Sequence, residues 1–155
     1  MKTNNIYFKR TNSDDSDFLN NCKILDQYLI DNVGIELMSS TLSQHNVIKN
    51  MNHVMVMFFN NELVGSAALK TYSEDTIELK RFIILEKFRG KGYGKLLFEE
   101  LSKWAKELNY KRVILETAKA LPIATKFYLA IGCKLIEHYG VYKDIEECNC
   151  LEWVL

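Results

Sequence analysis

Seven residues, Arg89-Gly90-Lys91-Gly92-Tyr93-Gly94-Lys95, stand between an apolar run, Phe82-Ile83-Ile84-Leu85, and a segment whose apolar residues recur at helical spacing from Leu96 onward. The order reads as strand, glycine-rich turn, helix, and it restricts the chain to folds that open a helix on bare backbone. The first amides of a helix have no carbonyl partner within it. Together with the positive end of the helix dipole they form a site for an anion. Glycine removes the Cβ that would hold a phosphate away and tolerates the dihedrals of such a turn. Arg89, Lys91 and Lys95 add cationic donors, so the expected ligand carries a phosphate or pyrophosphate. Two nucleotide signatures do not fit. A Walker loop needs four residues before its Gly-Lys and a following Ser or Thr, whereas only three residues separate Gly90 from Gly94-Lys95 and Leu96 follows. The dinucleotide pattern G-x-G-x-x-G is not met by glycines at 90, 92 and 94.

The rest of the composition narrows the class. A chain of 155 residues has the size of one domain with a proper core, taken here as 1–155. Twenty acidic residues balance twenty basic ones, so no net field draws nucleic acid or an anionic membrane. No apolar run approaches the roughly 18 residues of a membrane span, and the polar start Met1-Lys2-Thr3-Asn4-Asn5 lacks the apolar core of a signal peptide. A cytoplasmic protein with reduced thiols is expected. The cysteines at 22, 133, 148 and 150 contain no C-x-x-C, Cys148-Asn149-Cys150 is too tight for a usual zinc knuckle, and His45, His53 and His138 are scattered. No metal is therefore expected.

Along the chain, Ile6 to Lys9 reads as a first strand and residues 16 to 31 as a helix behind a polar capping cluster, broken at Gly34. Residues 35 to 50 read as a second helix or a loop with a helical turn. His53 to Phe59 and Leu63 to Thr71 form a hairpin about Asn60-Asn61-Glu62, and Ile77 to Leu85 is the next strand of a meander. A third helix carries Leu97, Leu101, Trp104 and Leu108 on one face. Val113 to Leu115 is a short buried strand, and Ile123 to Ile131 a fourth helix with Pro122 in its first turn and Gly132 at its end. Strands over Lys134 to Tyr139 and Cys150 to Leu155 close the chain. A meander followed by strand–helix–strand predicts an α/β (α+β) fold, a mixed central sheet of six to seven strands with helices on both faces.

Arg-x-x-Gly-x-Gly, with Arg89, Gly92 and Gly94 in register, resembles the pyrophosphate-binding motif of the GNAT superfamily of N-acetyltransferases. The element order is also that of the GNAT fold, and the resemblance is strongest from Gly65 to Tyr142. It implies acetyl-CoA as co-substrate, an acetyl transfer to a primary amine of a small molecule or peptide, and a possible homodimer. It places pantetheine along the backbone of Phe82, Ile83 and Ile84, the Phe82 amide at the thioester oxygen, and the pyrophosphate on Arg89 to Lys95. Glu78, eleven residues before Arg89, occupies the offset of the family's strand general base. Glu116, at the end of the following strand, is the rival for that role. Tyr128, within Ala124-Thr125-Lys126-Phe127-Tyr128-Leu129-Ala130-Ile131-Gly132-Cys133, matches the family's helix tyrosine facing the coenzyme sulfur, which implies the role of the acid that protonates the departing thiolate. Strand alternation would put Glu78, Lys80 and Phe82 on one face and Leu79, Arg81 and Ile83 on the other. Leu121 departs from an Asn or Gln common in the family, and Cys133 from an aromatic. Tyr139 and Tyr142 are read as walls of an acceptor site or as sheet-edge aromatics. A non-catalytic acyl-CoA sensor on the same fold is the alternative, since it would keep the loop without needing Glu78 or Tyr128.

Overall fold

The computed structural model describes residues 5–37 and 48–155. The chain order is β1 (Ile6–Thr11), α1 (Ser16–Val33), α2 (Ile35–Leu37), β2 (His53–Phe59), β3 (Glu62–Thr71), β4 (Thr76–Ile84), α3 (Tyr93–Glu107), β5 (Arg112–Ala118), α4 (Pro122–Ala130), β6 (Lys134–Ile136) and β7 (Cys148–Val154). The segment read from sequence as a second helix or loop contributes one helical turn, α2, and residues 38–47 lie outside the described residues. The last strand pair differs from expectation. β6 stops at Ile136, and the chain then runs through a 3-10 turn at Gly140–Tyr142 before β7.

The seven strands form one sheet in the order β1-β2-β3-β4-β5-β7-β6. All neighbours are antiparallel except β4 and β5, as a strand–helix–strand crossover requires. Asp15 caps α1, its carboxylate accepting from the Phe18 amide at 3.0 Å. Asn60 and Asn61, both with positive φ, close the β2–β3 hairpin, the conformation that a two-residue turn of the right twist needs.

Helices cover both faces. On one, α1 packs Phe18 and Cys22 on Val54, Val56 and Ala68, while Leu29, Ile30 and Val33 meet Ile114, Tyr139 and Tyr142. On the other, Leu97, Leu101 and Trp104 of α3 and Tyr128 of α4 share a core with Met55, Leu69, Ile77, Leu79 and Leu115. Truncating a buried leucine or phenylalanine of such a core to alanine typically costs about 2–5 kcal/mol.

Candidate active site

The parallel β4–β5 ladder is short. It pairs Thr76 with Arg112, Ile77 with Val113 and Glu78 with Ile114, and then ends. β4 continues to Ile84 beside β3, and β5 continues to Ala118 beside β7. The sheet therefore opens between them as a wedge. The wedge leads to a cavity of 470 Å³ that runs from α1 and β5 to the glycine-rich turn, lined by Phe82, Ile83 and Ile84 on one side and Leu115, Glu116 and Thr117 on the other.

A bulge sets the geometry of β4. Ser66 pairs with Ile83 but Ala68 pairs with Lys80, so Ala67 faces two residues, and the extra one, Arg81, has φ +57°. A left-handed residue that is not glycine costs roughly 1–2 kcal/mol, and here it is held from outside the strand. The Arg81 guanidinium donates to the Cys22 carbonyl at 2.9 Å and to Asp26 at 2.6 Å, both on α1. The bulge breaks the expected alternation. Glu78, Lys80 and Arg81 point toward α1 and the 139–145 segment, whereas Leu79 and Phe82 pack with α3 and α4. The sequence marks a bulge only by the oddity of a Glu-Leu-Lys-Arg run on a central strand.

At the wide end of the cavity the glycine-rich turn opens α3. Gly90 and Gly92 have φ +74° and +88°, and Gly92 caps the helix with no side-chain bond to its first amides. Those amides are thus left for an anion. An added Cβ at Gly90 or Gly92 would meet nothing within 4 Å, so the backbone there faces open space. Arg89, Gly90, Gly92, Gly94 and Lys95 line the cavity. Arg89 donates from Nε to the Ile84 carbonyl at 2.8 Å and stacks over Tyr28 of α1 at 5.1 Å. Lys91 is exposed and off the lining, and Tyr93 turns its ring to Phe59 and Phe88, so it offers the site its backbone alone. The bare amides and the glycine backbone fit a pyrophosphate, and the unladdered edge of β4 beyond Glu78 fits an amide-bearing arm such as pantetheine.

The sequence-picked side chains divide into two groups. Tyr128 lines the cavity and is held by the rings of Phe82, Phe98 and Phe127. Its hydroxyl has no hydrogen-bond partner among the described residues, and burial pushes its pKa well above that of free tyrosine. Glu116 also lines the cavity. Burial pushes its pKa up to about 7, with Lys80 opposing the rise and Glu78 adding to it. Glu78, in contrast, is off the lining. Its carboxylate accepts from the Tyr139 hydroxyl at 2.6 Å and sits 3.9 Å from the Lys80 ammonium. Lys80 in turn donates to the Tyr142 hydroxyl at 2.9 Å, and its pKa is lowered chiefly by burial.

Tyr139 and Tyr142 are therefore neither sheet-edge aromatics nor cavity walls. They are buried and anchor the segment after β6 onto Glu78 and Lys80. Leu121 lines the cavity as an apolar contact next to Ile123 and Ala124. Cys133 is a core residue whose thiol burial pushes up to about 12. Lys80 and Arg81 carry positioning roles that strand alternation alone does not assign.

Residues 22–133 match the Acetyltransferase (GNAT) family. This chain belongs to that family. The acetyltransferase is 28% identical over 110 residues to an uncharacterized N-acetyltransferase of Chlorobaculum tepidum, a stretch covering 70% of this chain and 68% of that protein. It is 33% identical over 88 residues to the human N-acetylaspartate synthetase, a stretch that is 54% of this chain but only 29% of the synthetase. Its fold superposes on a GNAT family acetyltransferase from Elizabethkingia anophelis solved with acetyl-CoA bound, with a TM-score of 0.69, 19% identity and coverage of 97% and 99% of the two chains. The expected family and fold class hold, and the chain is an acetyl-CoA-dependent acyltransferase. Among the described residues no helix is long and apolar enough to cross a membrane.

Proposed function

We propose that this acetyltransferase moves an acetyl group from acetyl-CoA to the primary amine of a small-molecule acceptor, by direct attack in a ternary complex. The observation that carries this reading is the wedge between β4 and β5, with the glycine-rich turn at one end and Glu116 and Tyr128 on its walls. Holding both reactants in one cavity turns a bimolecular step into one of orientation. The open amides of α3, with Arg89 and Lys95, hold the pyrophosphate. The free edge of β4 over Phe82, Ile83 and Ile84 pairs with the pantetheine arm. The Phe82 amide donates to the thioester oxygen as negative charge develops there, a contact worth about 3 kcal/mol of barrier in comparable sites.

The amine enters beside Leu25, Tyr28 and Leu29 of α1 and faces Glu116. Glu116 takes the proton of the incoming ammonium, directly or through one water. It is favoured over Glu78 because it lines the cavity, while the Glu78 carboxylate is already engaged by Tyr139. A carboxyl titrating near 7 is close to the optimum for a base at neutral pH. As the C–S bond breaks, the Tyr128 hydroxyl donates to the departing sulfur, and the second amine proton released on amide formation ends on that sulfur, so the coenzyme leaves as the thiol. The raised pKa of Tyr128 keeps the hydroxyl protonated at every working pH, so its contribution is that of a fixed donor. A relative that makes N-acetylaspartate supports an amine of small size as acceptor.

Two variants check these assignments. Tyr128→Phe is expected to lower kcat by about 10- to 100-fold while the KM for acetyl-CoA stays within about twofold, as measured by thiol release. Gly92→Val puts a branched side chain at φ +88° and forces the turn to move. A loss of about tenfold or more in acetyl-CoA affinity by calorimetry is expected, with a far-UV spectrum like that of the parent. The reading as a whole is tested by incubating the protein with acetyl-CoA and a panel of amino acids, polyamines, aminoglycosides and short peptides. Mass spectrometry then looks for a gain of one acetyl group. Tight acetyl-CoA binding without any product would favour the sensor over the enzyme.

A further inference from the structure

At β7, across the strand pair from the cavity residues Glu116 and Ala118, the fold gathers three metal-ligating side chains from two separate stretches of the chain. Cys148 and Cys150 are two residues apart on β7, so they project from the same face of the strand. β6 pairs with that strand through Ile136 and Cys150, which brings His138, just beyond its end, to the same place. One ligand atom from each of His138, Cys148 and Cys150 lies within 4.8 Å of the other two. Both cysteines are buried, at 0% and 1% exposure, and the imidazole is only partly so.

We propose that His138, Cys148 and Cys150 form a binding site for one thiophilic divalent cation, Zn²⁺ being the best fit. The ligand set decides the class of ion. Thiolates select Zn²⁺ and other soft cations over Mg²⁺ or Ca²⁺, and two thiolates with one imidazole leave a fourth tetrahedral position for water. Zn–S bonds of about 2.3 Å and Zn–N bonds of about 2.0 Å require ligand separations of roughly 3.5–3.8 Å. Separations of at most 4.8 Å are therefore reached by small side-chain rotations.

The surroundings agree. The Tyr142 carbonyl lies 3.1 Å from His138 Nδ1. A carbonyl can only accept, so the proton sits on Nδ1 and Nε2 keeps its lone pair, the arrangement usual for a metal-bound histidine. Without a cation, the Cys148 thiol is left to donate weakly to the Ile145 carbonyl at 3.4 Å. Two thiolates and a divalent cation form a neutral unit, which removes the burden of burying anions beside Ile145 and Tyr142. Binding exchanges two thiol protons for the cation and involves no redox step. The cation would tie β6 and β7 to the segment carrying Tyr139 and Tyr142.

The test does not depend on acetyl transfer. The protein, reduced and stripped of metal, is titrated with Co²⁺. The expected result is one Co²⁺ per chain, a sulfur-to-cobalt charge-transfer band in the near ultraviolet, visible bands of tetrahedral intensity, and displacement by one equivalent of Zn²⁺. His138→Asn, at the partly exposed ligand, is expected to weaken binding by about tenfold or more. Cys150→Ser should abolish the charge-transfer contribution of one sulfur. If the buried serine variant does not fold, the parent spectrum and the His138→Asn titration decide the matter alone. No stoichiometric uptake by the folded, reduced parent would overturn the proposal. So would weak octahedral bands unchanged in His138→Asn, which would place the ion elsewhere.

Discussion

Replacing Glu116 with glutamine is expected to lower kcat/KM by about 10²–10⁴-fold, the usual contribution of a positioned general base, while acetyl-CoA binds as before. Glutamine keeps the size and one carbonyl oxygen of the side chain but cannot take a proton from an ammonium. The pH dependence separates this from a loss of shape. With the Glu116 carboxyl titrating near 7, the parent enzyme should gain activity as pH rises through that value, because only the ionised form accepts a proton. In Glu116→Gln that limb should vanish and leave a low, flatter profile. Glu78→Gln is the control. It removes a carboxylate bonded to Tyr139 without removing a group from the cavity wall, so the limb should persist even if the rate falls. A parent profile unchanged by Glu116→Gln but lost in Glu78→Gln would return the base to Glu78.

The same residue should leave a mark on stability. Its folded pKa lies above the ordinary glutamate value of 4.5, so folding favours the protonated form. That contribution is complete below about 4.5 and is lost as pH rises through about 7. Above pH 7 the fold carries a partly buried carboxylate, which the glutamine variant does not. Glu116→Gln should therefore match the parent near pH 4.5 and exceed it at pH 8, by on the order of 2 kcal/mol, read as the difference in denaturant midpoint. A rate loss coupled to a gain in stability is what a base burdened by burial predicts, and simple damage to the site would not produce it.

Much of this was legible in the chain. The glycine-rich turn, the β2–β3 hairpin and the order of strands and helices follow from local rules: unpaired amides, Asn at positive φ, apolar periods of 3.6 and 2. The choice between two carboxylates was not legible. Glu78 and Glu116 are both strand glutamates at plausible offsets, and what divides them is tertiary: where β4 parts from β5, and that a tyrosine 61 positions away engages one of them. The bulge was hidden for a similar reason. Arg81 could hold a left-handed backbone only because Asp26 and the Cys22 carbonyl, on another element, bind its guanidinium. The cluster of His138 with Cys148 and Cys150 depends on β6 turning back beside β7, which no spacing rule along the chain encodes.

Gly65→Ala is expected to be the most damaging single methyl in the molecule. Gly65 sits in β3 opposite Ile84, next to the bulge. A Cβ built there would lie 2.3 Å from the Ile83 carbonyl oxygen, 2.9 Å from Ile84 Cδ1 and 3.1 Å from Ile84 Cα. The nearest atom belongs to the backbone, so no rotamer change relieves the overlap, and β4 must move away from β3. Overpacking of this kind costs about 1–3 kcal/mol where side chains can yield, and more is expected where the backbone has to shift. The movement falls on Ile83 and Ile84, whose backbone edges line the cavity. Stability and activity should thus fall together: a thermal midpoint lower by roughly 10 °C or more, and a kcat/KM reduced by about 10²-fold even at temperatures where the variant is folded. Gly90→Ala is the informative contrast. Its added Cβ meets no atom within 4 Å and only the positive φ resists it, so it should lower the thermal midpoint by no more than the few degrees that roughly 1–2 kcal/mol of left-handed alanine costs, with weaker acetyl-CoA binding. Equal midpoints for Gly65→Ala and the parent would mean that β3 and β4 approach less closely than this.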